Sequence, residues 1–333
     1  MSKEINSVVY GIAPWSDDLF QASSDFERGR TDAEHLKQVF ADDDFLYEST
    51  ILAAGIDYAG RSKGPDQLDY LRGIAQVSSG LGGDVAVAPV TRWFDRNTFY
   101  RQPQITEGFA FDPSADSQLL EPERHRELTG DKKRVVTLLS PIAFSELVDQ
   151  SGDLTKAEIE QRVDEVYSDI LDYFATTNKA DQILLHDPYS AYEQRTPEEN
   201  QTIIDRLSRF VLRHQLDIGV YFSNGNASEI IAAAINSGLA VNRVGCDVTE
   251  TPVNELPNLN GREFIAGVIN ADNTLEQTDE DVISIVDNLV EKTKVKTLYV
   301  THTTDLEHVP YEHALQKIRQ LGRVTRLLKG ANK

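Results

Sequence analysis

Short apolar runs alternate along this chain with longer segments in which apolar residues recur every three or four positions. The first pattern is typical of buried strands and the second of amphipathic helices. Strands alternating with helices predict parallel βα units, and eight such units close a TIM-type barrel. We therefore predict an α/β fold, a single (β/α)8 TIM-type barrel domain over residues 1–333. The predicted strands are VVYGI (8–12), IDYAG (56–60), RVVTLLS (134–140), QILLHD (182–187), DIGVYF (217–222), AVNRVGCD (240–247), FIAGVI (264–269) and TLYVTH (297–302).

Capping residues predict where three helices begin. Thr155 precedes Glu158 by three positions, the spacing at which each side chain can bond to the other residue's backbone N–H. Apolar residues then recur with helical spacing from Ile159 to Ile170. Similar start signals occur at Thr196, Pro197 and Glu199, and at Thr278 and Asp281.

Residues 80–132 do not follow the βα rhythm, and we predict an excursion there between the second and third strands, a hairpin plus a mobile loop. Its segment RWFDRNTFYR (92–101) places arginines beside aromatic residues, which suits a planar or anionic small ligand. The alternative is a solvated hairpin with an aromatic cross-strand pair. The candidate ligand-binding residues are Arg92, Trp93, Asp95, Asn97 and Tyr100.

The charge balance narrows the classes of partner. There are 33 basic and 54 acidic residues, a net charge of −21 spread along the chain, which opposes binding to nucleic acid or to an anionic membrane. The acidity fits either adaptation to high salt or simple solubility. The start, MSKEINSVVYGIAPW, has no signal-peptide pattern, so we expect a cytoplasmic protein. The single cysteine, Cys246, indicates a small buried hydrophobe rather than a nucleophile.

Barrel chemistry takes place at the C-terminal ends of the strands. There, His186 and Asp187 could form an acid/base pair, although neighbouring residues on a strand face opposite ways, and Asp187 could instead cap a turn. His302 and Asp247 are further candidates for catalysis. His302 and His308 lack metal-ligand spacing and are more typical of hydrogen-bonded structural histidines.

Motifs at these strand ends resemble the cobalamin-independent methionine synthase family, which is built from one or two α/β barrels. In its catalytic barrel a His-x-Cys pair, a Glu and a later Cys hold zinc. The motifs VYFSNGN, RVGCDV, GVINADN, DLEHVP and TRWFDRNTFY resemble instead the family's amino-terminal, zinc-free barrel, standing here alone. The matching zinc positions hold Tyr221, Ser223, Asp247 and, approximately, Thr304, so the resemblance implies that no zinc is held.

The resemblance implies a role in methyl transfer from a methyl-folate, or another methyl carrier, to homocysteine in methionine biosynthesis. The partner it implies is a separately encoded, zinc-bearing barrel. Arg92 takes the place of a family lysine that helps hold the folate polyglutamate tail, whereas Asp17, Phe20 and Lys63 depart from the family's pattern. Two alternatives stay open. One is an autonomous enzyme with metal-free chemistry at His186, Asp187, Asp247 or His302; the other is a non-catalytic small-ligand-binding or scaffold barrel.

Overall fold

A computed structural model describes most of the chain's second half and scattered parts of its first half. The described residues are 4–8, 18, 21, 25, 28–31, 35, 90–92, 94, 99–101, 105, 135–148, 153–178, 180–214, 216–237, 243–259, 261–304, 306 and 309–331. The chain divides into two compact units. The first comprises Met1–Ala13, Val135–Ala143 and Asp181–Lys333, and the second comprises Pro14–Arg134 and Phe144–Ala180.

The described residues form nine strands and six α-helices. The strands are β1 (Glu4–Ser7), β2 (Val90–Arg92), β3 (Phe99–Arg101), β4 (Val135–Leu139), β5 (Gln182–Asp187), β6 (Ile218–Phe222), β7 (Arg243–Asp247), β8 (Glu263–Ile269) and β9 (Thr297–His302). The helices are α1 (Pro141–Leu147), α2 (Lys156–Tyr173), α3 (Pro197–Arg213), α4 (Ser228–Asn236), α5 (Asp279–Thr293) and α6 (Tyr311–Ala331).

The first unit contains a seven-stranded sheet in the order β1-β9-β8-β7-β6-β5-β4, and every neighbouring pair is parallel. Every residue of β5, β6 and β7 is buried. A parallel sheet is covered on both faces, which explains why its strands read as continuous apolar runs. The predicted α/β class is therefore confirmed.

The first two predicted strands lie mostly outside the described residues. The first strand was predicted at 8–12, but β1 lies at Glu4–Ser7, where Ile5 is buried and Glu4 pairs with Thr297. The pairing extends to Val8, whose N–H donates to the carbonyl of Val300 at 3.1 Å. The other predicted residues of this strand, 9–12, lie outside the described residues. The predicted run 56–60 lies outside the described residues.

The predicted helix starts in the first unit are confirmed. At α3, Thr196 Oγ1 accepts from the N–H of Glu199, while the Glu199 carboxylate accepts from the N–H of Thr196. At α5, Thr278 Oγ1 accepts from the N–H of Asp281 at 3.1 Å. Such caps satisfy N–H groups that have no partner within the helix. Among the described residues, no helix is long and apolar enough to cross a membrane.

The second unit contains the predicted hairpin. Strands β2 and β3 pair antiparallel, with Thr91 opposite Tyr100 and Arg92 opposite Phe99. Helix α2 begins at the predicted capping box of Thr155 and continues into a π-helical turn, Phe174–Asn178. The predicted apolar stripe of α2 is buried, as expected of a core-facing helix surface. Its members are Ile159, Val163, Val166 and Ile170.

Candidate functional site

The parallel sheet brings the C-terminal ends of its strands to one edge, where buried polar side chains collect. In an α/β barrel this edge holds the ligand and the reacting groups. The buried polar residues there are Ser140, His186, Asp187, Ser223, Asp247, Thr301, His302, Thr303 and Thr304. This edge is the candidate functional site.

The side chains of His186 and Asp187 point to opposite faces of the sheet. In the register of the sheet His186 lies opposite Tyr221, and Leu184, two residues earlier, packs with Tyr221 in one buried cluster. Since side chains alternate along a strand, Asp187 points to the other face. His186 Nε2 lies 2.8 Å from Ser223 Oγ, and both side chains are buried. The structure thus joins His186 to Ser223 rather than to Asp187.

Both oxygens of the Asp187 carboxylate accept hydrogen bonds. Its Oδ2 accepts from the hydroxyl of Ser140 at 2.6 Å, and its Oδ1 accepts from the backbone N–H groups of Tyr189 and Ser190 at 3.0 and 2.7 Å. The Ser140 hydroxyl also accepts from the N–H of Ala143 at the start of α1. This is the geometry of a turn-capping aspartate, the second of the two interpretations made from the sequence.

Tyr221 fills the interior at the strand ends. Its side chain is fully buried, and its hydroxyl donates to the carbonyl of Thr303 at 2.8 Å. A methyl group added at Gly267 would overlap the Tyr221 hydroxyl oxygen, so the glycine on β8 leaves the room that the phenol occupies. At the position that the resemblance matches to the family's first zinc ligand, the phenol of Tyr221 is packed and hydrogen-bonded.

Asp247, at the end of β7, is a buried carboxyl whose two oxygens differ in environment. Oδ1 accepts from the N–H and the hydroxyl of Thr249 at 2.7 and 2.6 Å. Oδ2 has no hydrogen-bond partner among the described residues. Burial is the main cause that raises the pKa of Asp247 to about 7; the charges of Glu250 and Asp272 add to the rise, and the Thr249 hydrogen bonds oppose it. A carboxyl that titrates near neutrality can accept or donate a proton at working pH.

The hydrogen bonding of His302 fixes its tautomer in the neutral ring. Its Nδ1 lies 2.9 Å from the carbonyl of Thr304, and a carbonyl only accepts, so Nδ1 carries the proton and Nε2 is the acceptor nitrogen. A β-bulge lies beside it, because Gly267 pairs with Thr301 whereas Ile269 pairs with His302. His302 and Asp247 are thus both buried polar side chains at this edge.

Further polar atoms at this edge have no hydrogen-bond partner in the described part of the chain. Buried polar groups are nearly always satisfied, so such atoms indicate where a ligand or water binds. Gly267 on β8 lies opposite Asp247 on β7 and opposite Thr301 on β9. Residues opposite each other in register share a face of the sheet, so Asp247 and Thr301 lie on the same face. The atoms are Ser190 Oγ, Asn224 Nδ2, Asp247 Oδ2 and Thr301 Oγ1.

Two residues that the resemblance matches to the family's zinc ligands take part in hydrogen bonds within the protein. The hydroxyls of Tyr221 and Ser223 bond to Thr303 and His186, and zinc prefers thiolate and imidazole ligands to neutral hydroxyls. Within the described ranges, no group of three His, Cys, Asp or Glu side chains is placed to hold a metal ion. Cys246 is fully buried one residue before Asp247, and burial raises the pKa of its thiol, as expected of a small core residue.

The predicted ligand-binding segment belongs to the second unit. Arg92 ends β2 and is exposed, and the backbone of Tyr100 pairs with Thr91. Trp93, Asp95 and Asn97 lie outside the described residues. The hairpin interpretation of this segment is therefore confirmed for its two strands, and its ligand-binding role stays a prediction.

Sequence reasoning missed Asn224, Thr301 and the pairing of Tyr221 with Gly267. The signal for the last was present: a glycine inside the strand FIAGVI marks a close approach by another group. Asn224 stands in a left-handed backbone conformation, with φ at 64°, which asparagine tolerates better than most residues.

The C-terminal edge of the parallel sheet is where α/β barrel proteins place their ligands and reacting groups, and the fold defines this chain as an α/β protein of that class. The family model described as the cobalamin-independent synthase N-terminal domain matches residues 50–294. The chain therefore belongs to this family, and the predicted resemblance to its amino-terminal barrel is confirmed.

Two relatives illustrate the match in sequence. A 5-methyltetrahydropteroyltriglutamate–homocysteine methyltransferase of Rhodococcus jostii is 32% identical over 241 residues, which cover 69% of this chain and 30% of that protein. The enzyme of the same description from Desulforamulus reducens is 24% identical over 240 residues, 71% of this chain and 30% of that protein. The matched stretch is thus well under half the length of either relative.

Solved structures agree on the fold. A B12-independent methionine synthase from Shewanella, solved with selenomethionine, superposes with a TM-score of 0.67 at 10% identity, covering 99% of this chain and 98% of that one. A methyltransferase from Methanosarcina mazei superposes with a TM-score of 0.54 at 12% identity, covering 97% and 94%. The predicted TIM-type barrel fold is confirmed by these likenesses.

Proposed function

We propose that this chain is a zinc-free barrel that contributes to methyl transfer to homocysteine in methionine biosynthesis, together with a separately encoded, zinc-bearing barrel. Family membership supports the reaction, since the relatives named above are homocysteine methyltransferases. The need for a separate zinc-bearing barrel is supported by Tyr221. This side chain is packed and hydrogen-bonded where the family's first zinc ligand would stand. A thiol substrate would have no metal to bind at this edge.

Reconstitution tests this proposal. The purified chain is assayed alone, and with the zinc-bearing barrel encoded in the same genome, for methionine formation from methyltetrahydropteroyl triglutamate and homocysteine. We expect no turnover by the chain alone, and a rate that rises with added chain until the two proteins are equimolar. A partner that is equally fast without this chain would overturn the proposal.

We propose methyl-folate as the methyl carrier, with Arg92 contacting its glutamate tail. Arg92 is exposed on the hairpin, and a guanidinium forms charge-assisted bonds with carboxylates. Arg92→Ala should weaken binding of a triglutamyl pterin about tenfold, with a smaller effect on the monoglutamyl form and at high salt. The matched control is Arg209→Ala, an exposed arginine on α3. Equal losses for both ligands would make Arg92 a structural residue of the hairpin.

The environment of Asp247 favours a second candidate, an autonomous enzyme with metal-free acid/base chemistry. Burial raises the pKa of Asp247 to about 7, and its Oδ2 has no partner among the described residues. Turnover by the isolated chain, with a pH–rate inflection near neutrality that Asp247→Asn abolishes, would favour this candidate. Turnover that requires the zinc-bearing partner would favour the first.

A further inference from the structure

A cavity separate from the candidate functional site lies between α6 and the loop that leaves β8. Its volume is about 170 Å³, and residues of α6 spaced three and four positions apart form one wall, so a single helix face lines it. Cavities that hold whole metabolites measure roughly 300–1,000 Å³. This cavity therefore suits an ion or a single functional group.

The cavity lining carries three basic side chains, Lys317, Arg319 and Arg323, and one carboxylate, Glu276. Two nitrogens of Arg323 donate to the Asp279 carboxylate at 3.2 and 3.3 Å, which leaves three N–H donors of that guanidinium. Arg319 forms no ion pair within the described residues. The three basic side chains form a basic patch, and such a patch attracts anions.

Lys317 is the buried member of this basic patch. It is 6% exposed, and its ammonium donates to the carbonyls of Asn270 and Leu275 at 2.6 and 3.3 Å, which uses two of its three N–H donors. Burial lowers the pKa of Lys317, partly offset by the charges of Glu276 and Asp272. A bound anion would stabilise this buried ammonium and accept its remaining N–H.

We propose that this cavity binds a phosphate-like oxyanion, held by Lys317, Arg319 and Arg323. Guanidinium groups pair with two oxygens of a tetrahedral anion at once, and the buried ammonium supplies a third contact. The carbonyls to which Lys317 donates belong to the loop that follows β8. In the same loop the N–H of Ala271 donates to Thr303 Oγ1, and the carbonyl of Thr303 accepts from the Tyr221 hydroxyl. Anion binding therefore stabilises a loop that reaches the candidate functional site.

Calorimetry with inorganic phosphate and with glycerol phosphate tests this proposal, at constant ionic strength in potassium chloride. We expect saturable binding of one anion per chain. Tighter binding of inorganic phosphate identifies a free ion as the ligand, and tighter binding of the ester identifies the phosphate group of a larger molecule. Failure of both to bind above the chloride background overturns the proposal.

Variants on exposed positions keep the test independent of folding. Arg319→Gln should weaken phosphate binding about tenfold, since it removes charge-assisted hydrogen bonds. The matched control, Arg209→Gln on α3, should bind phosphate like the native chain. Phosphate should also raise the thermal unfolding midpoint of the native chain more than that of Arg319→Gln. Equal phosphate affinity of Arg319→Gln and the native chain would overturn the proposed site.

Discussion

Replacing Asp247 by asparagine should stabilise the protein at alkaline pH and have little effect at acid pH. Burial raises the pKa of Asp247 from an ordinary value of 3.8 to about 7. Between these two values the folded protein holds a proton that the unfolded chain has lost, so the free energy of unfolding falls as pH rises. The difference is ~3 pKa units, and at 1.36 kcal/mol per unit the loss above pH 7 reaches about 4 kcal/mol. Asparagine is neutral at every pH and avoids this loss.

Urea unfolding of the native chain and Asp247→Asn, at fixed salt and at pH values from 4.5 to 8.5, measures the effect. We expect the variant to be more stable by about 1 kcal/mol at pH 4.5, and the two free energies of unfolding to diverge further up to pH 7, where the difference approaches about 4 kcal/mol. Asp287→Asn, at an exposed position on α5, is the control and should follow the native pH profile. Parallel profiles for Asp247→Asn and the native chain would refute the argument that Asp247 is a buried, destabilising carboxyl.

Three further predictions concern packing, metal content and salt. Gly267→Ala should lower the free energy of unfolding by about 1–3 kcal/mol, because the new methyl overlaps the Tyr221 hydroxyl. Adding Tyr221→Phe should restore part of that loss, and strict additivity in urea unfolding would contradict the contact. Elemental analysis after expression with added zinc should find no stoichiometric zinc, because the hydroxyls of Tyr221 and Ser223 replace soft ligands; one zinc per chain would disprove this. The thermal unfolding midpoint should rise from low to molar potassium chloride as salt screens carboxylate repulsion, and a flat or falling midpoint would leave solubility as the reason for the acidity.

The sequence predicted those parts of the fold in which local pattern and burial agree. Strands β5 and β9 occupy the predicted residues 182–187 and 297–302, because nearly every position of these strands is buried and each has an apolar centre. The helix starts at Thr155, Thr196 and Thr278 were predictable because a cap involves only four neighbouring residues.

The site was less predictable because its contacts join distant parts of the chain. The Tyr221 hydroxyl meets the carbonyl of Thr303 and the space above Gly267, and no local pattern couples these positions. The β-bulge opposite His302 interrupts the two-residue alternation on which strand reasoning depends. Lys317 reads in the sequence as a polar position on an amphipathic helix, yet its ammonium is buried against loop carbonyls.

The pairing of β1 with β9 has a consequence for how the protein is made. Glu4 pairs with Thr297, 293 positions later, so the first strand leaves the ribosome long before its neighbour exists. At roughly 5–20 residues per second, translation separates the two strands by about 15–60 s. During that interval the edge of β1 that later pairs with β9 presents unpaired backbone groups, which are prone to mispairing with other chains. We expect this segment to be the part of the nascent chain most dependent on chaperones, and the closing of β1 onto β9 to be a late step of folding.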